Sequence, residues 1–233
     1  MKVFAIGDLH LSLAKPKEMD VFGKHWENHW ARIGDDWNAK VGNEDVVLIP
    51  GDISWAMRLE EALPDLDAIG AMPGSKVLLR GNHDYWWSSP AKIRNVLREG
   101  TYLVQNNSVV IGDFVFCGSR GWTFPMDSSF TQKDEKIYER EKQRLRMSLE
   151  SAAKTGKRMI GMLHYPPLFE DYRDTDFAEL FAEFGAEQVV FGHLHGDVLR
   201  SVHLTDVVER GTVYNLVSAD YLDFKLKEIV RVE

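Results

Sequence analysis

Acidic, imidazole and amide side chains concentrate in five short segments of this 233-residue chain, each directly after an apolar run. The segments are Asp8-Leu9-His10, Gly51-Asp52, Gly81-Asn82-His83-Asp84, His164, and Gly192-His193-Leu194-His195. In extended backbone, side chains two positions apart point the same way, so Asp8 and His10 can aim into one pocket. The same holds for His193 and His195. Strand ends at one edge of a sheet are where α/β proteins place their sites, so we expect the five segments to meet.

The donor types in these segments indicate a metal site. They offer carboxylates, imidazoles and an amide oxygen, but no thiolate. This mixture suits a hard-to-borderline divalent or trivalent ion and argues against a structural zinc site. A single histidine is usually solvated or hydrogen-bonded, but five of the eight histidines fall in these segments, which favours ligation. His25 and His29 resemble a helical metal-binding pair, but Glu27 stands one place too late for H-E-x-x-H, and we predict no site there.

The apolar runs that precede these segments predict β-strands. They cover residues 2–6, 45–49, 76–79, 109–111, 114–117, 159–163, 188–191 and 212–217. Near-continuous apolarity in the first few runs indicates strands covered on both faces, as in α/β folds. The Gly112-Asp113 pair between two later runs indicates a hairpin. The sequence therefore favours a mixed system of two packed sheets over a simple doubly wound sheet.

Helical periodicity occupies the gaps between the strands. One apolar face comprises Met19, Phe22, Trp26, Trp30, Ile33 and Trp37. Residues 59–69 predict a second helix, and Pro90 opens a third at its first turn. A long charged helix over 131–153 presents either a solvated face or a lid over the site. Because no repeat, low-complexity tract or linker divides the chain, we predict one domain over residues 1–233.

The ordered pattern D-x-H, G-D, G-N-H-D, H, G-H-x-H resembles that of the calcineurin-like metallophosphoesterases and covers residues 8 to 195. No single piece is specific, but five pieces in this order, each after a strand, are a strong signal. The resemblance implies an α/β fold, a four-layer α-β-β-α sandwich with two central mixed β-sheets.

The resemblance also implies roles for the residues at the motif positions. Asp8, His10 and His195 would hold a first metal ion, and Asp52 would bridge to a second. Asn82, His164 and His193 would complete the second ion's ligands. His83 would be the substrate-facing catalytic histidine, and Asp84 would orient it. The implied cofactors are two divalent or trivalent ions, with manganese, iron and zinc as the candidates.

Such a centre predicts hydrolysis of a phosphoester. Two ions about 3.5–4 Å apart clamp a phosphate and activate a bridging hydroxide, which attacks phosphorus in line. We expect small phosphodiesters as substrates, since the sequence near the site shows Arg80 and Arg120 but no basic run. The alternatives are a phosphomonoesterase or protein phosphatase, a nuclease, and a non-catalytic metal-binding scaffold. The chain has lost neither the ligands nor His83, as a scaffold would.

Several residues near the motifs are candidates for substrate binding. Trp86 and Trp87 follow the G-N-H-D turn, and Trp55 follows Gly51-Asp52. These tryptophans either pack under the loops or form an aromatic wall for a substrate group. Arg120 either reaches a phosphate or forms a surface ion pair.

Composition limits the partners. The formal charge of -8 argues, weakly, against a long nucleic acid as an obligate partner, because phosphate neutralisation by basic residues supplies most of that affinity. The single cysteine, Cys117, lies in an apolar run, which predicts a buried residue rather than a nucleophile and fits a reducing compartment. No run approaches the ~20 apolar residues of a membrane span, and no signal-peptide pattern opens the chain. We therefore expect a cytoplasmic protein.

Overall fold

The computed structural model describes residues 1–17, 19, 23–125, 127–169 and 175–231. The strands in this part of the chain are β1 (Lys2–Ala5), β2 (Val46–Pro50), β3 (Ser75–Leu79), β4 (Thr101–Val104), β5 (Ser108–Ile111), β6 (Phe114–Ser119), β7 (Arg158–Leu163), β8 (Gln188–Phe191), β9 (Val207–Glu209), β10 (Thr212–Leu216) and β11 (Lys227–Arg231). The α-helices are α1 (His29–Lys40), α2 (Leu59–Gly70), α3 (Pro90–Arg94), α4 (Gln132–Ala153) and α5 (Asp176–Glu183). Short 3₁₀ turns lie at Lys24–Trp26 and Gly196–Ser201.

The strands form two mixed sheets. Sheet A has the order β11-β1-β2-β3-β4, in which β1 to β4 run parallel and β11 pairs antiparallel to β1. Sheet B has the order β5-β6-β7-β8-β10-β9. Its four central strands are parallel, and both edge strands are antiparallel to their neighbours. The carboxyl ends of the parallel strands in each sheet therefore share one edge.

The two sheets pack face to face between two helical layers. Alternate side chains of a strand point to opposite faces, so Val3 of β1 packs between the sheets while Phe4 packs with the helices α1 to α3. On the far side, α4 and α5 pack through Leu145 and Phe181 onto sheet B. This arrangement confirms the predicted α-β-β-α sandwich with two central mixed sheets.

The first predicted helix differs most from the structure. The stripe of apolar residues predicts one helix from Met19 to Trp37, but α1 begins only at His29. Asn28 takes a left-handed conformation with φ of 53°, which separates the 3₁₀ turn containing Trp26 from the helix. Phe22, another residue of the predicted stripe, lies outside the described residues.

The long charged helix α4 is fixed at its start and along its inner face. Thr131 and Asp134 form a capping box at its first turn. The hydroxyl of Ser148 accepts a hydrogen bond from the Gly118 backbone N–H and donates to the Asn107 carbonyl. Leu145 and other residues of this face are buried against sheet B. A lid function for this helix stays a prediction.

Cys117 is fully buried on β6, and burial raises the pKa of its thiol to about 12, so it does not serve as a nucleophile at neutral pH.

Within the described residues, none of the helices combines the length and the apolar character needed to cross a membrane.

Candidate metal centre

The predicted ligands meet where parallel strands of both sheets end. Asp8 follows β1, Asp52 follows β2 and Asn82 follows β3 in sheet A. His164 follows β7 and His193 follows β8 in sheet B. Backbone hydrogen bonds join neighbouring loops: the N–H of Asp8 donates to Gly51 at 3.0 Å, and the N–H of His10 donates to Asp52 at 2.9 Å. The site is thus assembled by strand ends from both halves of the sandwich.

The backbone of these loops is unusual. Four of the predicted ligands have positive φ: Asp8 (57°), His10 (47°), Asp52 (51°) and His193 (74°). Aspartate, asparagine and histidine tolerate this left-handed region better than most side chains. Each such residue nevertheless costs about 1–3 kcal/mol and persists only where its surroundings hold it. The loops are therefore shaped to direct side chains rather than to give a relaxed backbone.

A first cluster of donors comprises Asp8, His10, Asp52 and His195, whose ligand atoms all lie within 4.8 Å of one another. The Nε2 atom of His195 is 3.2 Å from Oδ1 of Asp8 and 3.4 Å from Nε2 of His10. The Nε2 atom of His10 is 3.7 Å from Oδ2 of Asp52. Two carboxylates and two imidazoles thus point at one small volume.

A second cluster lies beside the first and also approaches Asp52. The Oδ1 atom of Asn82 is 2.6 Å from Nε2 of His164 and 2.9 Å from Nδ1 of His193. The same Nε2 of His164 is 3.5 Å from Oδ2 of Asp52. The Asp52 carboxylate is consequently within reach of both clusters.

The second cluster brings together three atoms that can each present a lone pair: Oδ1 of Asn82, Nε2 of His164 and Nδ1 of His193. The Nδ1 atom of His164 lies 3.0 Å from the Pro50 carbonyl, to which it donates, so the Nε2 atom of the neutral ring carries a lone pair. This lone pair faces the amide oxygen of Asn82. Burial lowers the pKa of His164, and it lowers the pKa of His193 to about 3, which keeps both rings neutral. A cation between these acceptors would relieve their repulsion, so the donor set fits a bound metal ion.

Charge in the first cluster supports the same fit. Burial, followed by the negative charge of Asp8, raises the pKa of Asp52. The Nδ1 atom of His10 is buried and has no hydrogen-bond partner in the described part of the chain. Burial alone would lower the pKa of His195, but the carboxylates of Asp8 and Asp220 raise it. Protons on Asp52 and His195 are thus favoured in this cluster, and a bound cation could take their place.

Two motif glycines make room for the carboxylates. A Cβ atom on Gly81 would lie 2.1 Å from Oδ1 of Asp52, and one on Gly192 would lie 2.2 Å from Oδ2 of Asp8. Neither position can carry a side chain without displacing a carboxylate. This close approach explains why glycine precedes both Asn82 and His193.

Asp220 is a site residue that the sequence reasoning missed. Its carboxylate accepts hydrogen bonds from Nδ1 of His195 at 3.0 Å and from the backbone N–H of Gly196 at 3.0 Å. A partner of this kind fixes the orientation and tautomer of a ligating histidine. Asp220 follows the apolar strand β10, so the strand-end argument used for the five segments would have found it.

His83 lies beside the two clusters but contributes no ring nitrogen to them. Its backbone N–H donates to Oδ1 of Asp52 at 2.8 Å. Its half-buried ring lies 4.7 Å from the ring of Trp55 and 5.8 Å from that of His10, measured between centroids. Burial is the main cause that lowers the pKa of His83, and the neighbouring His164 lowers it further. The neutral ring is therefore free to meet a substrate.

The Asp84 side chain hydrogen-bonds to the ligand loops and not to the His83 ring. Its buried carboxylate accepts hydrogen bonds from the backbone N–H groups of Ile53, Ser54 and Gly81 and from the indole of Trp86. Within the described residues, none of its hydrogen bonds goes to the His83 ring. The predicted role of orienting His83 directly is corrected accordingly: the carboxylate ties the Asp52 and Asn82 loops together.

The predicted aromatic wall of Trp86 and Trp87 is wrong. The two side chains are only 1% and 6% exposed and belong to the core under the helices. Their indole N–H groups donate to Asp84 and to Gln105, respectively. Trp55 is the tryptophan that reaches the centre: it stacks on His10 at 4.6 Å with an interplanar angle of 19°.

Arg120 lies at the end of β6, next to the centre but outside both clusters. Its guanidinium lies 3.6 Å from the buried carboxylate of Glu141 and packs over the ring of Trp122 at 4.5 Å. Its backbone carbonyl accepts the N–H of His164 at 3.1 Å.

His29 belongs to the helical histidine pair for which no metal site is predicted. Its ring nitrogens lie 3.0 Å and 3.2 Å from the backbone carbonyls of Leu9 and Trp26.

An α-β-β-α sandwich with clustered oxygen and nitrogen donors at its strand ends defines a metal-binding class of protein. The chain belongs to the calcineurin-like phosphoesterase family, whose profile matches residues 1–197. The members of this family use a dinuclear metal centre.

Individual relatives cover the chain to different extents. The Gene 66 protein of Mycobacterium phage D29 is 41% identical over 86 residues, which is 35% of this chain and 40% of the phage protein. The phosphopantetheinyl hydrolase PptH from Mycobacterium tuberculosis shares the fold with a TM-score of 0.62 at 14% identity, over 99% of this chain and 96% of that one. The protein TT1561 of Thermus thermophilus does so with a TM-score of 0.58 at 12% identity, over 97% and 96%.

Proposed function

We propose that this chain is a metal-dependent phosphoric ester hydrolase that acts on small phosphodiesters. The observation that carries the proposal is the pair of donor clusters that share Asp52, with the His83 ring beside them and outside both. Asp8, His10 and His195 would hold one ion; Asn82, His164 and His193 would hold the other. Two bound ions supply positive charge for the phosphate oxygens and lower the pKa of a bound water.

The chain's own residues would position these groups and the substrate. Asp52 would serve both clusters, because its Oδ2 atom lies 3.7 Å from Nε2 of His10 and 3.5 Å from Nε2 of His164. Asp220 would fix the His195 ring, and Asp84 would keep the loops in register. The neutral His83 ring would donate a hydrogen bond from its N–H to an oxygen of the phosphoester and would stabilise charge on the leaving oxygen.

The surroundings of Trp55 support a diester. A cavity of about 430 Å³ opens beside this ring and is lined by Lys17, Arg58 and Ser12 among others. The ammonium of Lys17 lies 3.4 Å above the ring. A diester carries a second organic group, which could stack on the face of Trp55 turned away from His10 if the exposed Lys17 side chain moves off that face. The half-buried Trp55 thus takes the role predicted for Trp86 and Trp87.

The test is hydrolysis of bis(p-nitrophenyl) phosphate and p-nitrophenyl phosphate under identical Mn²⁺ and pH. We expect a higher kcat/KM for the diester, and Trp55→Leu should lower that value about tenfold, since stacking on an aromatic side chain is worth about 1–3 kcal/mol. Trp30→Leu is the matched control, because Trp30 is also only partly buried but does not line the cavity. A preference for the monoester that Trp55→Leu leaves unchanged would instead support the phosphomonoesterase alternative.

A further inference from the structure

A second cavity, of about 240 Å³, lies next to the metal centre and is lined by four arginines. We call it the arginine cavity; its charged residues are Arg80, Arg120, Arg140, Glu141 and Arg144. None of the seven predicted metal ligands lines it. It is therefore a separate feature of the same edge of the sandwich.

Three elements bring these side chains together. Arg80 directly follows β3, Arg120 directly follows β6, and Arg140 and Arg144 stand four residues apart on α4. Side chains at this spacing are neighbours on one face of a helix. The cavity thus forms where α4 crosses the ends of one strand from each sheet. The sequence shows no basic run for this cavity, because its successive arginines are 40, 20 and 4 residues apart along the chain.

The described residues that line the arginine cavity carry more positive than negative charge. Glu141 is the carboxylate of the lining; it is 1% exposed and lies 2.8 Å from Arg144 and 3.6 Å from Arg120. The side chains of Arg80 and Arg140 make no hydrogen bond or ion pair with any described residue. Four guanidinium groups against one carboxylate leave three positive charges in excess, in a chain whose formal charge is -8.

Donor groups inside the cavity also lack acceptors. The Nε atoms of Arg80 and Arg120 are buried and have no hydrogen-bond partner among the described residues. A buried donor without an acceptor is unfavourable, and more so when it is charged. An anion with several oxygens would satisfy these donors and offset the repulsion between the guanidinium groups.

The chemistry of the lining selects the anion. Guanidinium presents a planar fork of donors that matches phosphate and carboxylate oxygens, and arginine is over-represented where such groups are recognised. Four arginines from three directions suit a tetrahedral group better than a planar carboxylate. We propose that the arginine cavity binds a phosphate group, either a second phosphate of the substrate or free inorganic phosphate.

The position of the cavity connects it to hydrolysis at the metal centre. Arg80 precedes the predicted ligand Asn82 by two residues, and the Arg120 carbonyl accepts the N–H of His164. A substrate held at the metal centre by one phosphate can therefore extend a second phosphate toward the arginines. This part of the inference rests on the proposed function and narrows its substrate class to phosphodiesters that carry a further phosphate.

The first experiment measures phosphate binding without any catalysis. Inorganic phosphate is titrated calorimetrically into the full chain in the presence of a chelator, for the natural protein and for the Arg140→Gln, Arg144→Gln double variant. We expect one phosphate per chain, with affinity reduced about tenfold or more in the variant, since hydrogen bonds to charged groups are the strong ones. Arg146→Gln is the control, because Arg146 lies on the same helix but pairs with Glu183 outside the cavity. Equal phosphate binding by all three proteins, or none, overturns the proposal.

The second experiment separates the two sources of phosphate. Thymidine 5′-(p-nitrophenyl phosphate) and its 3′-phosphorylated derivative have the same scissile bond and differ by one phosphate. We expect the manganese-loaded protein to prefer the 3′-phosphorylated ester by about tenfold or more in kcat/KM, and the double variant to lose this preference. A ratio near one, together with phosphate binding, overturns the substrate source and supports free phosphate.

Two further outcomes keep the proposals distinguishable. If neither ester is hydrolysed but phosphate binding depends on the two arginines, the proposed function fails and the arginine cavity stands as a phosphate site. If the double variant does not fold, as judged by circular dichroism, the single Arg140→Gln variant replaces it, because Arg140 is exposed on α4 and has no side-chain partner among the described residues. Loss of phosphate affinity in that variant supports the proposal, and unchanged affinity contradicts it.

Discussion

The metal centre and the arginine cavity are neighbouring sites that would bind ions of opposite charge. The metal centre brings together atoms that can act as acceptors, such as Oδ1 of Asn82 and Nε2 of His164, with a ring nitrogen of His193 within 3.3 Å of both. The arginine cavity brings together donors, such as the Nε groups of Arg80 and Arg120, with no acceptor for them in the same part of the chain. Each arrangement is unfavourable for the protein alone and favourable once an ion of the opposite sign is bound.

The comparison indicates how the two sites can cooperate. Only Gly81 separates Arg80 from Asn82, so cationic and anionic surroundings alternate over a few residues of one strand end. A bound cation on one side and a bound phosphate on the other would attract each other and lower the energy of both sites. A molecule with two phosphates matches this pattern of charge.

Removing the cations should produce the largest effect and separate the two sites. We expect a chelator to reduce phosphodiesterase activity to background, because N and O donors alone provide neither the charge nor the activated water, and Mn²⁺ to restore it. Phosphate binding in the arginine cavity should persist in the chelated protein, as calorimetry would show. Full turnover by a preparation verified as metal-free would contradict the metal-dependent mechanism.

Substitutions at Asp52 and His83 should distinguish a shared ligand from a substrate-facing group. Asp52→Asn removes the charge that both clusters share, so metal analysis should find both ions depleted and activity near the metal-free level. His83→Gln should keep close to two ions per chain and lower kcat by about 100-fold, the range for loss of a hydrogen-bond donor to the developing charge. Equal metal loss in both variants would show that His83 is itself a ligand.

Asp220→Asn should produce an intermediate effect through His195. The Asp220 carboxylate holds the His195 ring in place, and loss of such a partner typically lowers metal affinity about 10–100-fold. The measurement is Mn²⁺ affinity from activity against free metal concentration, with maximal kcat recovered at high Mn²⁺. Asp223→Asn is the control, because its carboxylate pairs with Arg32 and Lys225 on the surface. A variant that never regains kcat would point to a direct role in the reaction.

Glu141→Gln should produce the smallest effect and change the arginine cavity in the opposite direction. Removing the carboxylate of its lining leaves the guanidinium groups without a counter-charge, so we expect phosphate affinity to rise about threefold to tenfold. Glu183→Gln, which affects only the Arg146 pair outside the cavity, should leave phosphate affinity unchanged. Weaker phosphate binding in Glu141→Gln would mean that Glu141 chiefly positions the arginines.

The sequence predicts site residues that lie together in one short segment, and it misses those that come together only in the folded chain. Asp8 and His10 are recognisable because a strand end and a two-residue spacing lie within one short segment. Arg140 and Arg144 give no such signal, since they meet Arg80 only after α4 packs onto sheet B. The tryptophans Trp86 and Trp87 share a turn with the ligands, yet burial in the core outweighs that proximity.

The edge strands of the sheets also give little signal in the sequence. The sequence prediction lacks β4, β9 and β11, which are all edge strands. An edge strand needs no continuous apolar run, and Lys227–Arg231 contains three charged residues. Asp220 was missed because its strand end lacks a flanking histidine or glycine, although it lies beside the same centre. The four-layer arrangement was predicted from the family resemblance. The apolar runs alone only favoured two packed sheets over a doubly wound sheet.

The left-handed backbone of the ligand loops has a consequence for local opening of the protein. Residues held at positive φ favour conformations in which the loop hydrogen bonds are broken, and a bound cation opposes that opening. The amide hydrogens of Asp8 and His10, which bond to the neighbouring loop, should therefore exchange with deuterium faster than those inside β1 and β2 when metal is absent. Adding Mn²⁺ should slow exchange at these amides selectively, so hydrogen-exchange mass spectrometry would report metal occupancy on a substrate-free protein.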